Sequence, residues 1–211
     1  MQTKVKKYNG IEYTYSSDWI HYLETEEHWR LYWQQQKLME NYLKPSDRIL
    51  EIGVGTSFTA NYLKSKNYEV TTFDIDDEKK PDIIGNIVEY DWKSEKFSHI
   101  LAFEVFEHIP YEEFQKALSK LHLVADYMFL SLPLNKRTIF ELDIKLPKLK
   151  KRHFSLLINK NKITTKNHFW EVGYDKFCDS YIENDFLDKG YQIVQKTTKF
   201  SFIYYVLKSI K

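Results

Sequence analysis

A short apolar run that ends abruptly at two glycines constrains this chain more than any other feature. Residues 49–52 are Ile-Leu-Glu-Ile, Gly53 and Gly55 follow directly, and 59–66 then show a helical pattern. A buried strand that turns sharply at a glycine and enters a helix is the first unit of an open α/β sheet. Ligands of such sheets bind outside the carboxyl ends of the strands, so this turn is the expected cradle for a ligand.

Short strands and helices alternate along the rest of the chain. We predict helices at 24–43 and 111–121, and strands at 68–73, 82–84, 98–103, 127–132, 191–197 and 202–207. This alternation predicts a mostly parallel sheet with helices on both faces. The last two strands are separated by only a few residues, which permits a hairpin and excludes a crossover helix. We therefore expect an antiparallel strand at the C-terminal end of the sheet.

The composition indicates one soluble domain. The chain has 211 residues, of which 43% are hydrophobic and 29% are charged, and its net charge is +1. These values argue against a disordered or membrane-spanning chain and give no overall field that would attract nucleic acid. Cys178 is the only cysteine, so no intrachain disulfide can form. With no signal peptide and no run of ~20 apolar residues, we expect a cytoplasmic protein.

The residues around the glycine turn indicate which kind of ligand it holds. A dinucleotide site has the pattern Gly-x-Gly-x-x-Gly, whereas Phe58 occupies the third glycine position here. Glu51 lies two residues before the first glycine, and a carboxylate suits a cationic or amino-bearing ligand better than a pyrophosphate. Both residues disfavour a nicotinamide dinucleotide.

Two more polar groups follow the next strands. Asp74 ends the second predicted strand, where an acidic residue can accept hydrogen bonds from both hydroxyls of a ribose. Asn86 and Ile87 follow the third strand and could supply a polar contact and an apolar wall for a purine ring. Each of these residues alone is an ordinary turn residue. Together with the glycine turn they occupy three successive strand ends, which favours a nucleoside-containing cofactor.

Residues 47–133 resemble the core of class I S-adenosylmethionine-dependent methyltransferases, in the small-molecule group related to the ubiquinone and menaquinone biosynthesis enzymes. The matching segments are 49–55, 72–76, 81–87 and 101–110, in this order. The resemblance implies a Rossmann-like, seven-stranded, mostly parallel sheet with helices on both faces and an antiparallel C-terminal strand. It also implies S-adenosylmethionine as the cofactor.

The resemblance assigns cofactor contacts residue by residue. It implies that Glu51, Gly53 and Gly55 hold the methionine end, that Asp74, with Ile75 beside it, holds the ribose, that Asn86 and Ile87 hold the adenine, and that Phe103 and Glu104 close the site. Family members often have Asp at the position of Asn86. The Asn side chain keeps an acceptor and adds a donor. They usually have Asp in place of Ser98, a position remote from the cofactor.

Methyl transfer needs chiefly the alignment of nucleophile, methyl group and sulfur, which can supply ~7–11 kcal/mol at best. A base is needed only if the acceptor loses a proton, and His108 is the first candidate, with a capping or packing role as the alternative. His168 is a second candidate, for which a structural hydrogen bond is the commoner role. His21 and His28 carry little weight. No metal is expected, because the sequence has no His-x-x-x-His pair and one cysteine cannot form a zinc site.

The helix at 24–43 and the segment after 133 are the candidate substrate elements. The predicted apolar face of this helix consists of Trp29, Tyr32, Trp33, Met39 and Leu43. Three aromatic residues in or just before the helix either pack on the core or form a lid over the substrate; they are Tyr22, Trp29 and Trp33. The segment 134–167 carries ten Lys or Arg against two acidic residues. It is a solvated insertion, a source of cations for an anionic acceptor, or a surface for membrane lipid or RNA.

These inferences divide the chain into a helical lid segment (1–44), a cofactor-binding core (45–133), a basic substrate-side segment (134–174) and a C-terminal helix with a hairpin (175–211). The predicted function is methyl transfer to a small or medium-sized metabolite by in-line displacement. The alternatives are a catalytically silent cofactor-binding or partner protein, an RNA methyltransferase and an NAD-dependent oxidoreductase. We expect no DNA partner, and neither the acceptor nor the oligomeric state follows from the sequence.

Overall fold

A computed structural model describes residues 4–15, 25–149 and 152–210. Its strands are β1 (Lys4–Tyr8), β2 (Ile11–Tyr15), β3 (Arg48–Ile52), β4 (Glu69–Asp74), β5 (Ile83–Ile84), β6 (Phe97–Phe103), β7 (Ala125–Pro133), β8 (Lys136–Ile144), β9 (Arg152–Asn159), β10 (Tyr191–Lys199) and β11 (Phe202–Ser209). Its helices are α1 (Glu26–Met39), α2 (Phe58–Ser65), α3 (Tyr111–Leu121) and α4 (Asp179–Asp188). Short 3-10 turns occupy Asp77–Lys79, Trp92–Ser94 and Phe106–His108.

Seven strands form one central sheet in the order β10-β11-β7-β6-β3-β4-β5. The pairs among β7, β6, β3, β4 and β5 are parallel. Only β11 runs the other way, antiparallel to both β7 and β10. The predicted fold class is therefore confirmed, including the C-terminal antiparallel strand.

Alternate residues of the central strands enter two separate cores, because successive side chains point to opposite faces of a sheet. On one face, Leu50, Ile100 and Met128 pack with residues of α3 and α4. On the other face, Ile49, Leu101 and Phe129 pack with residues of α1 and α2. Helices therefore cover both faces and leave the strand ends as the place for a site.

Helix α3 has the bounds that the sequence predicts. It begins directly after Pro110, since proline suits the position before a helix, and it buries an i, i+3, i+4 stripe against the sheet. The buried stripe consists of Tyr111, Phe114, Ala117, Leu118 and Leu121. Phe114 lies within an aromatic cluster whose other members are Phe106, Tyr111, Trp170 and Phe186.

The predicted apolar face of the first helix is wrong at Trp29 and Trp33 and is confirmed at Met39. The residues that α1 buries are Leu31, Gln34, Gln35, Leu38 and Met39, whereas Trp29 and Trp33 are 49% and 58% exposed. The helix ends at Met39, so Leu43 lies beyond it. The sheet selects the face through Leu38 and Met39, and large aromatic side chains are tolerated at the surface. Tyr22 and His21 lie outside the described residues.

Two hairpins add to the predicted elements. β1 and β2 pair around Asn9 and Gly10, both with positive φ, and Asn-Gly is a strong sequence signal for a tight hairpin turn. Within the basic segment, β8 and β9 form a second antiparallel pair with a bulge between Thr138 and Phe140. The prediction for this segment rested on its charge and missed the pairing, although Thr138, Ile139 and Phe140 are typical strand residues.

None of the helices in the described ranges combines the length and apolar character that crossing a lipid bilayer requires.

We expect Phe114→Ala to lower the free energy of unfolding by about 3–5 kcal/mol, because it leaves a cavity in a fully buried aromatic cluster. Leu123→Ala is the control, since Leu123 is 56% exposed and should cost less than about 0.5 kcal/mol. Urea denaturation followed by circular dichroism measures both. Equal losses in the two variants would contradict the assignment of this cluster as the core.

Candidate functional site

A cavity of about 450 Å³ opens at the carboxyl ends of the parallel strands. Its walls include every residue that the sequence analysis named for cofactor binding or catalysis: Glu51, Gly53, Gly55, Asp74, Ile75, Asn86, Ile87, Phe103, Glu104, His108 and His168. These residues come from four strand ends and from a segment far along the chain. The fold therefore gathers the whole predicted set in one place.

The glycine turn brings β3 close to the loop after β6. Gly53 has a φ of +78°, and a Cβ built on it would lie 2.4 Å from Cγ2 of Val105. Its backbone nitrogen donates to the carbonyl of Phe73 at 2.9 Å. Both the backbone conformation and the close approach therefore require glycine at this position.

Asp74 holds the glycine turn in place. Its Oδ2 accepts a hydrogen bond from the backbone nitrogen of Val54 at 2.8 Å, and its Oδ1 accepts one from Asp76 at 2.8 Å. Lys79 Nζ donates to Oδ2 at 3.2 Å. The carboxylate is 4% exposed and ties the ends of β3 and β4 together at the cavity wall.

Glu51 presents an unpaired carboxyl oxygen. The residue is 6% exposed, and among the described residues its Oε2 has no hydrogen-bond partner. Burial, with a smaller contribution from the charge of Asp74, raises the pKa of Glu51 to about 8, although a backbone hydrogen bond at Ala60 and the charge of Lys64 oppose the shift. A cationic or amino-bearing ligand would supply the missing partner.

Asn86 and Ile87 form the wall next to β5. Oδ1 of Asn86 accepts hydrogen bonds from the backbone nitrogens of Val88 at 2.8 Å and Glu89 at 3.3 Å. The acceptor of Asn86 therefore serves its own loop, which leaves its amide nitrogen as the group for a ligand. Ile87 is 7% exposed and adds an apolar surface.

Glu104 lies where β6 leaves the sheet and has a φ of +57°, which is uncommon for a residue other than glycine. Its backbone nitrogen donates to Oγ of Ser131 at 3.1 Å. Burial raises the pKa of its carboxyl to about 7. The backbone strain at this cavity residue fits a position constrained by the site.

The N-terminal hairpin supplies a wall that the sequence analysis missed. Tyr13 and Thr14 of β2 line the cavity. Lys6 fixes the hairpin there, because its Nζ donates to the carbonyl of Ile75 at 2.6 Å and lies 3.3 Å from Asp77. The Asn9-Gly10 pair could have revealed the hairpin, but nothing in the sequence indicates where it docks.

Helix α1 supplies the opposite wall through His28, Leu31, Tyr32 and Gln35. Tyr32 stacks on Phe58 with ring centroids 4.3 Å apart, and its hydroxyl lies 2.9 Å from that of Thr56. Of the aromatic residues predicted as a lid, Trp29 packs edge-on against Phe58. Trp33 lines a different surface hollow beside Met39.

Two histidines meet at the cavity wall. The rings of His108 and His168 lie 5.0 Å apart in an edge-to-face arrangement. Nδ1 of His108 is 3.1 Å from the carbonyl of Asn167, and Nδ1 of His168 is 2.7 Å from a carboxylate oxygen of Glu171. Burial and the neighbouring His168 ring lower the pKa of His108, so the His108 ring is neutral at pH 7. One side of this ring faces the cavity.

Glu171 anchors this end of the cavity. It is fully buried, and it accepts hydrogen bonds from Nδ2 of Asn135 at 2.6 Å and from the backbone and hydroxyl of Thr164 at 2.7 and 2.9 Å. Burial alone would raise the pKa of Glu171, but the hydrogen bonds to His168, Asn135 and Thr164 lower it to about 2. The structural hydrogen bond considered for His168 is thus present, and the ring also lines the cavity.

Residues 50–125 match a family described as a methyltransferase domain. No curated protein matches the sequence.

Solved methyltransferase structures share the fold. An S-adenosylmethionine-dependent methyltransferase from Clostridium acetobutylicum ATCC 824 aligns with a TM-score of 0.58 and 12% identity, covering 92% of this chain and 96% of that chain. The glycopeptide N-methyltransferase MtfA, complexed with S-adenosyl-L-homocysteine, has a TM-score of 0.56 and 10% identity over 83% and 88% of the two chains. The 1,6-didemethyltoxoflavin-N1-methyltransferase of Burkholderia thailandensis has a TM-score of 0.54 and 12% identity over 90% and 86%. At these identities the likeness shows the fold alone. The family match covers residues 50–125, and it agrees with the predicted resemblance to class I methyltransferases.

We expect Gly53→Ala to destabilise the protein more than Gly10→Ala. Both glycines have positive φ, which costs an alanine about 1–2 kcal/mol, but only Gly53 would also press a Cβ into Val105, at about 1–3 kcal/mol more. Chemical denaturation measures the difference, and adding Val105→Ala to Gly53→Ala should reduce it. Equal losses in the two single variants would show that the close approach is not real.

Proposed function

We propose that this chain, whose residues 50–125 belong to the methyltransferase domain family, transfers the methyl group of S-adenosylmethionine to a small-molecule acceptor. The observation that carries the proposal is the cavity wall formed by Glu51, the glycine turn, Asp74 and Asn86 at adjoining strand ends. S-adenosylmethionine is the cofactor of this class, and the MtfA and didemethyltoxoflavin methyltransferase structures contain S-adenosylhomocysteine.

Glu51 fits the methionine end of the cofactor. Its buried Oε2 lacks a partner within the described residues, and the α-ammonium group of the cofactor is a donor of opposite charge to the ionised carboxylate. The bare backbone at Gly53 and Gly55 lets the methionine moiety approach β3 without a side chain in the way.

Asp74 fits the ribose through one oxygen. A carboxylate has about four acceptor positions, and Asp74 already uses two on Oδ2 and one on Oδ1. Oδ1 thus keeps a position for a ribose hydroxyl, so the bidentate contact expected from the sequence reduces to a single strong bond unless Lys79 moves away. The apolar side chains of Ile75 and Ile87 then enclose the adenine, with the amide nitrogen of Asn86 at its edge.

The remaining walls define the acceptor side, formed by His28, Tyr32, Gln35, His108 and His168. The cavity volume of about 450 Å³ lies in the ordinary range of small-molecule sites, which favours a metabolite over a polymer. Among the described residues, no lysine or arginine of the basic segment lines the cavity. Nothing in these walls therefore supports an anionic acceptor.

The protein's part in the reaction is positioning. When bound, the cofactor supplies an activated methyl group on a sulfonium, and the walls align the acceptor with it while they exclude water. His108 is the candidate proton acceptor, because its ring is neutral, is held through Nδ1 and lines the cavity. In this proposal the described residues of 1–44 and 134–174, together with His108, provide the acceptor walls, and the rest of 45–133 provides the cofactor walls. The described residues of 175–211 complete the sheet.

We expect calorimetric titration to show binding of S-adenosylmethionine and S-adenosylhomocysteine and no binding of NADH. Asp74→Ala should weaken S-adenosylhomocysteine binding roughly 10–100-fold, because a hydrogen bond to a charged group is worth about 1.5–3 kcal/mol. Asp188→Ala, which removes an exposed carboxylate at the end of α4, is the matched control and should bind normally. If cofactor-free, folded protein bound neither adenosyl ligand, the proposal would be wrong.

We also expect cofactor binding to release a proton at Glu51. At pH 7 the carboxyl is mostly protonated, because burial raises its pKa to about 8, and an incoming ammonium group favours the ionised form. Calorimetry at pH 7 in buffers of different ionisation enthalpy should therefore detect release of roughly one proton. Glu51→Gln should abolish the release, and equal proton counts in both proteins would remove Glu51 from the site.

A further inference from the structure

We propose that Glu107, His108 and His168 bind one divalent transition-metal ion at the acceptor end of the cavity, with Zn²⁺ as the ion that fits best. Each residue offers one ligand atom, and these atoms all lie within 4.8 Å of one another. His168 is sixty residues from His108 in sequence, so spacing along the chain could not reveal the group. The expectation of no metal site rested on the histidine spacing and on the single cysteine, and neither reveals ligands that come together only in the fold.

Both histidines are held as metal-ligating histidines usually are. A ligating ring typically donates its other N–H to a carboxylate or a backbone carbonyl, which fixes its orientation and leaves the second nitrogen free for the metal. Nδ1 of His168 meets Glu171 at 2.7 Å, and Nδ1 of His108 meets the carbonyl of Asn167 at 3.1 Å. Two rings with this arrangement at one site leave both Nε2 atoms as the ligand positions.

Glu107 supplies a carboxylate that lacks a partner. The residue is 1% exposed, and its Oε2 has no hydrogen-bond partner among the described residues. A buried carboxyl oxygen without a hydrogen bond is uncommon, and a metal ion is one of the partners that can satisfy it. The carboxyl groups of Glu104 and Glu171 lie close to Glu107, and these acidic neighbours favour a cation over an anionic ligand.

The geometry requires only a small contraction. Tetrahedral ligands at 2.0–2.2 Å from one ion lie about 3.3–3.6 Å apart, so three atoms that now lie within 4.8 Å of one another close on an ion by shifts of less than about 1 Å each. Two imidazole nitrogens and one carboxylate oxygen suit Zn²⁺ and its transition-metal neighbours better than Mg²⁺ or Ca²⁺. Because His108 and His168 line the cavity, a fourth position would face the acceptor, as in catalytic zinc sites.

The role of this ion in transfer rests on the proposed function, whereas the metal site itself does not. A divalent cation at that position lowers the pKa of a hydroxyl on the acceptor, so hydroxyl-bearing acceptors are the class that fits. The acceptor O–H bond breaks and its proton passes to water, because His108 as a metal ligand no longer serves as the proton acceptor. The oxygen then bonds to the methyl carbon as the carbon–sulfur bond breaks, and sulfur keeps that electron pair.

The test is calorimetric titration of chelator-treated protein with Zn²⁺ alone, with Co²⁺ as an optical probe of the ligands. We expect one ion per chain, and His168→Ala and Glu107→Gln should each weaken binding at least tenfold. His122→Ala is the matched control and should bind normally, since His122 has the same Nδ1-to-carbonyl contact but lies directly after α3 and does not line the cavity.

Glu107→Gln keeps the shape of the side chain, so it decides the question if His168→Ala fails to fold. Absence of Zn²⁺ binding by the folded native protein, binding of Mg²⁺ in its place, or native affinity in both variants would each overturn the site. Titration with S-adenosylhomocysteine in the same variants separates the two proposals. A variant that no longer binds Zn²⁺ but still binds S-adenosylhomocysteine supports both proposals. Native protein that binds Zn²⁺ but not S-adenosylhomocysteine counts only against the proposed function.

Discussion

The carboxylate of Asp74 connects the elements on which the cavity depends. It accepts hydrogen bonds from the backbone nitrogens of Val54, in the glycine turn after β3, and of Asp76, in the loop after β4. The turn itself is only possible because Gly53 lets the chain pass against Val105. A buried carboxylate with several donors is a strong local constraint, since those bonds are charge-assisted. The same group that shapes the wall thus also lies where a ribose would bind.

The sequence predicted the parts of the fold that depend on local pattern. The bounds of α3 and the order of strands and helices follow from apolar periodicity and from glycine and proline positions, which act within a few residues. The sequence did not predict which face of α1 is exposed, because Trp29 and Trp33 form as regular an apolar stripe as Leu38 and Met39, which the sheet buries. Which stripe is buried depends on the partner surface, and that surface is built from distant strands.

The same distinction applies to the site. Glu51, Gly53, Asp74 and Asn86 could be found because each lies at or just after the end of a strand, and strand ends of a parallel sheet meet at one edge. Tyr13 and Glu107 could not be found in this way. The hairpin that carries Tyr13 docks through Lys6 onto the carbonyl of Ile75, which is 69 residues away in the sequence. Glu107 becomes a candidate ligand only because the fold brings His168 close to it. Side chains that come together through loops leave no periodic signal in the sequence.

The two ends of the cavity have different electrostatic designs. At the cofactor end, Glu51 is buried without a partner, and its pKa of about 8 keeps it neutral until a cation arrives. At the acceptor end, the fully hydrogen-bonded Glu171 stays ionised with a pKa of about 2 and holds His168. Glu51 obtains its missing partner only when a ligand binds, whereas Glu171 already orients the His168 ring. This difference agrees with a cofactor that carries a positive charge and an acceptor that must be oriented.

A crystal structure of the protein with S-adenosylhomocysteine tests the central claim most directly. The account predicts electron density for the nucleoside in the cavity, with its amino group within about 3 Å of the Glu51 carboxylate and a ribose hydroxyl on Oδ1 of Asp74. The homocysteine sulfur should then point toward His108 and His168. Density for the ligand elsewhere, or a bound nucleoside that touches neither Glu51 nor Asp74, would contradict the account.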